Sequence, residues 1–198
     1  MRLFAAVLPP APAVGELALA VDRLRSLPAA DRLRWTGRES WHFTLAFMGE
    51  VEDALLPELH ERLGRAARRT HPLALRLHGG GRFGQRALWV GAAGGLEEMR
   101  LLAERADAAA RRAGIGMEEH RRYQAHLTIA RSRDEADLRP YVEGLDTFEG
   151  TPWEVAELAL VRSNLPVSGV PGEQPRYETV GSWPLGGGTG SSPPERAS

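Results

Sequence analysis

Two short runs share a pattern that could carry chemistry: His42-Phe43-Thr44-Leu45-Ala46 and His126-Leu127-Thr128-Ile129-Ala130. Each reads His-x-Thr-aliphatic-Ala inside a stretch that alternates as a strand does. Side chains at i and i+2 of a strand share a face, roughly 7 Å apart. Each run therefore sets an imidazole and a hydroxyl side by side. Phe43, Leu45 and Phe47 are expected on the opposite, packed face of the first strand, and Leu127 and Ile129 on that of the second. If two related halves of the chain face each other, two imidazoles flank two hydroxyl donors across a cleft. In-line displacement at phosphorus needs a base on the nucleophile and an acid on the leaving oxygen, on opposite sides. An imidazole of pKa about 6.5 can be neutral in one copy and protonated in the other near neutral pH. Thr44 and Thr128 can donate to the non-bridging oxygens. That scheme requires no metal and no cofactor. A single His-x-Thr is more often packing than catalysis; its recurrence in corresponding places of two halves turns the reading toward chemistry.

The rest of the composition narrows the choice. His60, His71, His78 and His120 have no paired spacing, and there is neither an HExxH run nor a carboxylate cluster. The chain has no cysteine, which excludes disulfides, thiolate metal sites and a thiol nucleophile. Every basic side chain is arginine. Lysine nucleophiles, Schiff bases and Walker-type phosphate clamps are thereby excluded, although a bias that runs through the whole chain marks no particular site. Formal net charge is -1, so any RNA contact must be local rather than a global field.

The elements that must position these residues follow from periodicity. The 198 residues suit one domain, or two small lobes on a shared core. Residues 2–9 read as a strand, because Pro9, Pro10 and Pro12 interrupt what could pass for a signal peptide. No apolar run approaches the roughly 20 residues needed to span a bilayer. A cytoplasmic monomer with no membrane partner is expected. Helical spacing marks 13–27 (Leu17, Val21, Leu24), 53–69 with Asp53 as N-cap, 95–113 (Met99, Leu102, Ala106, Ala110) and a short helix near 134–144. Strands are expected at 72–79 and 86–92 around GGGRFGQ, at 122–131, at 153–163 and at 176–185. Strands that come in adjacent pairs favour α+β with antiparallel sheets in two pseudo-symmetric lobes, each with flanking helices and the site in the cleft between them. Residues 1–185 form the expected domain and 186–198 a flexible Gly/Ser/Pro-rich tail.

The doubled motif with its flanks resembles the two-histidine (2H) phosphoesterase superfamily, and within it the bacterial RNA 2′,3′-cyclic phosphodiesterases first described as 2′-5′ RNA ligases. RLFAAVLP, HFTLAFMGEV, FGQRALWVG, HLTIAR, LALVRSNL and RYETVGSWPL are similar to that family's segments over residues 2–185. The resemblance implies a bilobal α+β fold and metal-independent opening of a terminal 2′,3′-cyclic phosphate to a 2′-phosphate. It implies His126 as general base, His42 as general acid, Thr44 and Thr128 as phosphate ligands, and RNA ends or nucleotides with a 2′,3′-cyclic phosphate as partners. The reverse reaction, 2′-5′ joining, would swap the two histidine roles. Arg131 closes HLTIAR and would neutralise the phosphate, yet strict alternation puts it opposite His126 and Thr128. It reaches the cleft only if the strand ends, twists or bulges. Where the family often has Pro or a bulky residue before the second His, this chain has Tyr123-Gln124-Ala125. Tyr123 and Trp35 are candidates for stacking on a base, and Arg111, Arg112, Arg121 and Arg122 for an RNA-facing patch. Two other readings stand beside the enzyme: a binding module for nucleotides or RNA ends, and a phosphodiesterase for 2′-5′ oligonucleotides or ADP-ribose cyclic phosphate.

Overall fold

A computed structural model describes residues 1–119 and 122–187; Arg121 of the expected basic patch and tail residues 188–198 lie outside them. The chain runs β1 (Arg2–Val7), α1 (Ala11–Arg25), β2 (Leu33–Trp35), β3 (Phe43–Glu50), α2 (Leu56–Arg68), β4 (Leu73–Phe83), β5 (Ala87–Gly94), α3 (Leu96–Arg112), β6 (Leu127–Ser132), α4 (Arg139–Gly144), β7 (Trp153–Val155), β8 (Glu157–Asn164) and β9 (Arg176–Pro184). The fold is α+β, with two antiparallel sheets in the orders β3-β1-β8-β9 and β2-β6-β5-β4-β7.

The helices form where apolar side chains recur at helical spacing. In α3, Met99, Leu102, Ala103, Ala106, Ala109 and Ala110 are all buried, and a fully buried Leu or Met is worth about 2 kcal/mol. In α2 the stripe is Leu59, Leu63, Ala66 and Ala67. Asp53 does not cap this helix: it opens a 3-10 turn at Asp53–Leu55, and α2 begins after Leu55 with Pro57 in its first turn. Helices α2 and α3 lie against the first sheet, α1 and α4 against β4 of the second. One buried cluster continues through both lobes. A smaller one of Phe4, Ala6, Ala159 and Val161 sits on the first sheet, with Tyr177 packed against it.

The lobes are not the two halves of the sequence. Strands β8 and β9, from the C-terminal half, lie beside β1, whereas β5 pairs with β6 and β4 with β5. The single strand expected at 153–163 is divided: β7 joins β4, and β8 joins β1 in the other sheet. The short β2, not anticipated, pairs with β6. The glycine run expected as a loop is strand as far as Phe83. A Cβ at Gly81 would overlap the Trp89 indole, and one at Gly80 the Leu145 side chain. Bare backbone there lets both side chains lie flat on the strand. The second motif strand begins at Leu127 rather than 122, so His126 stands just ahead of it, as His42 stands ahead of β3.

Both motif strands bulge at the same place. Against β1, Ala5 pairs with Ala46 and Ala6 with Thr44, which leaves Leu45 extra; against β5, Leu88 pairs with Ala130 and Trp89 with Thr128, which leaves Ile129 extra. An extra residue shifts the alternation by one. Leu45 and Ala46 are therefore both buried, as are Ile129 and Ala130. The same shift exposes Phe47, expected in the packed face: it is 48% accessible, with the Arg2 guanidinium over its ring at 4.9 Å.

Candidate active site

His42 enters β3 from a 3-10 turn at Arg38–Ser40. Its ring rests on Phe4, centroids 4.6 Å apart, and meets Tyr177 nearly edge-on at 5.2 Å. Burial against these rings pushes its pKa down to about 4; a hydrogen bond to the Ser40 backbone opposes the shift, and the charge of His126 adds to it. Among the described residues the Ser40 hydroxyl, also buried, has no hydrogen-bond partner.

His126 has a matching support. Its Nδ1 lies 2.8 Å from the carbonyl of Gln124. A carbonyl only accepts, so Nδ1 carries the proton and Nε2 is left for the cleft. The ring stands edge-on to Phe83 at 4.8 Å and lies 6.0 Å from Trp89. Each histidine thus leans on two aromatic rings and on the backbone two residues upstream.

The two motifs open on one cleft of about 280 Å³, whose walls include His42, Thr44, His126, Thr128 and Arg131. The Ile129 bulge resolves the alternation problem: Arg131 falls three residues after Thr128 and still on its side. A hydroxyl couples the two lobes behind the site. Trp41 Nε1 donates to Thr36 Oγ1 at 3.1 Å, and Thr36 Oγ1 donates to the Thr128 carbonyl at 3.1 Å. The residue before His42 is thereby tied to the second motif strand. Gln174 closes the far side: its amide donates to the Trp35 carbonyl at 2.9 Å and accepts from Gly37 N at 3.3 Å.

Arg34, Thr36, Ser40, Gln174 and Tyr177 share the cleft wall and were not singled out in the sequence. They belong to β2 and the segment after it, the turn before β3, the loop leading into β9 and β9 itself, with no repeat to mark them. Neither stacking candidate lines this cleft. Trp35 packs edge-on against Tyr141 at 5.9 Å and donates to the Ala30 carbonyl at 3.0 Å. Tyr123 is half-buried elsewhere, its hydroxyl buried and unpartnered among the described residues and its pKa pushed up by burial. Of the described members of the expected basic patch, none lines the cleft: Arg111 pairs with Asp107 at 2.8 Å, Arg112 lines a groove between α2 and α3, and Arg122 borders a separate depression beside Tyr123.

Two antiparallel sheets that set paired His-x-Thr strands on one cleft define a two-histidine class of α+β protein. The chain belongs to the 2′-5′ RNA ligase superfamily, whose family model matches residues 9–165. An RNA 2′,3′-cyclic phosphodiesterase of Geobacillus stearothermophilus is 32% identical over 157 residues, which cover 76% of this chain and 47% of that protein. The chain thus spans about half the length of that relative. An RNA 2′,3′-cyclic phosphodiesterase of Aquifex aeolicus is 28% identical over 160 residues, 78% of this chain and 82% of the relative. A crystal structure from Thermus thermophilus superposes with a TM-score of 0.71 at 27% identity, over 94% of this chain and 98% of that one. Among the described residues, no helix is long and apolar enough to cross a membrane.

Proposed function

We propose that this protein opens a terminal 2′,3′-cyclic phosphate on RNA to a 2′-phosphate by metal-independent acid/base catalysis. The observation that carries the reading is the pair of imidazoles, one from each lobe, on one cleft with two threonines and an arginine. The names of the Geobacillus and Aquifex relatives support the same substrate class.

In this scheme the phosphate sits between the histidines. Its non-bridging oxygens accept from Thr44 and Thr128, and Arg131 balances the charge. His126, with Nδ1 committed to the Gln124 carbonyl, takes a proton from water on Nε2. The water oxygen forms a bond to phosphorus as the bond to the ribose O3′ breaks. His42 gives its proton to that departing oxygen, leaving the phosphate on O2′. The two histidines finish with protonation states exchanged, and solvent restores them. With the 5′-hydroxyl of a second RNA in place of water, the same displacement forms a 2′-5′ bond as the bond to O3′ breaks, so joining runs in the same direction as opening and the two histidines keep their roles instead of exchanging them.

With its pKa lowered to about 4, His42 is neutral near pH 7. To serve as the acid it must gain a proton as the anionic phosphate arrives, and the same burial that lowers its pKa makes it a strong acid once charged. The test is hydrolysis of nucleoside 2′,3′-cyclic monophosphates in EDTA, with identification of the product isomer. The 2′-phosphate is expected, with activity lost in H42A and H126A variants that remain folded. A 3′-phosphate product, dependence on added divalent metal, or near-normal turnover by either variant refutes the scheme. Tight binding with no turnover would make this a binding module.

A further inference from the structure

Next to the histidine cleft lies a second depression of about 390 Å³, lined by Arg34, Arg86, Arg131, Arg133, Ser132 and Glu135. It shares Arg34 and Arg131 with the cleft. Arg34 and Arg131 are direct partners across β2 and β6, a placement of like charges that is destabilising by itself. Arg86 sits beside them, just ahead of β5, where its carbonyl accepts from Ser132 N at 2.8 Å. Arg133 is two residues beyond Arg131. Among the described residues none of these four guanidiniums has an ion pair or a side-chain hydrogen bond. Elsewhere in the protein many arginines are paired: Arg62 with Glu58, Arg76 with Glu149, Arg111 with Asp107, Arg139 with Asp137. Four unpaired arginines around one depression, with Glu135 the single acid, make a local excess of positive charge in a chain of net charge -1. Planar guanidinium forks match phosphate oxygens two at a time.

We infer that this depression is a second phosphate subsite, which holds the 5′-phosphate of the same nucleotide whose 2′,3′-cyclic phosphate lies between His42 and His126. The inference rests on the proposed function and makes an RNA end the preferred substrate over a free nucleoside cyclic phosphate. In an RNA chain that 5′-phosphate is the link to the preceding nucleotide, so the subsite also sets the direction in which the strand leaves the cleft. Arg34 and Arg131 face both phosphates, while Arg86 and Arg133 belong to the second alone.

The test compares adenosine 2′,3′-cyclic phosphate with the same compound carrying a 5′-phosphate. The 5′-phosphate is expected to lower KM about tenfold or more at low salt, with the advantage shrinking as salt rises. The R86Q/R133Q variant should bring the two substrates within about twofold of each other and turn over the unphosphorylated one as the parent does, which also reports an intact fold. E135Q should widen the preference. Equal KM for both substrates in the parent protein, or an undiminished preference in R86Q/R133Q, overturns the subsite while leaving the proposed function standing. Failure of the parent to open either compound defeats the proposed function, and the subsite with it.

Discussion

His42→Asn should flatten the dependence of stability on pH. The imidazole of His42 has its pKa lowered from 6.5 to about 4 by burial on Phe4 and Tyr177. In the unfolded chain it titrates normally. Between pH 6.5 and 4 the unfolded state therefore binds a proton that the folded state refuses. The stabilising contribution is complete above about pH 6.5, falls away as the pH drops toward 4, and changes no further below that. At about 1.4 kcal/mol per pH unit the full loss is about 3 kcal/mol, and at pH 5 it is already about 2 kcal/mol. Asparagine at 42 does not titrate. Urea unfolding of both proteins at pH 7.5 and pH 5.0 isolates the effect, because the carboxylates titrate alike in each and cancel in the difference. The parent should lose about 2 kcal/mol more than H42N between the two conditions. Parallel losses would show that His42 is not held neutral by its surroundings, and the account of the site's electrostatics would fall.

Other perturbations probe separate parts of the site. Inorganic phosphate binding at pH 7, measured by calorimetry in buffers of different ionisation enthalpy, should take up about one proton, because the anion must charge an imidazole that is otherwise neutral; no uptake would place the acid role elsewhere. Arg131→Gln should raise KM for a cyclic phosphate roughly tenfold or more through the lost charge-assisted bonds, and an unchanged KM would mean that the Ile129 bulge does not deliver the guanidinium to substrate. Thr36→Val removes the hydroxyl between Trp41 and the Thr128 carbonyl; about 1–3 kcal/mol of stability should go, with a fall in kcat larger than the change in KM if the bridge positions the two motifs. Gly81→Ala pushes a Cβ into the Trp89 indole and should cost about 1–3 kcal/mol, disturbing His126 through the ring contact it makes with Trp89.

Local patterns were legible because their causes are local. The stripes in α1 and α3 name their own buried faces: Leu17, Val21 and Leu24, and Met99, Leu102, Ala106 and Ala110 are all in the core. The doubled His-x-Thr run named four of the side chains that meet at the cleft. The glycines at 79–81 misled, since bare backbone in this sequence serves as a bed for Trp89 and Leu145 as well as a bend.

What the sequence by itself determined is the chemistry on offer: two imidazoles, two hydroxyls, no thiol, no lysine, and helices whose apolar faces require a core. Tertiary structure alone decided which sheet each strand joins, so that β7 and β8 part company at Ala156 and the lobes exchange strands. It also decided the matched bulges at Leu45 and Ile129, which turn Arg131 into the cleft and Phe47 out of the core. Arg34, Ser40, Gln174 and Tyr177 reach the site for the same reason. Side-chain periodicity is written along one strand, but register, pairing and the burial that lowers the pKa of His42 exist only between segments distant in the chain.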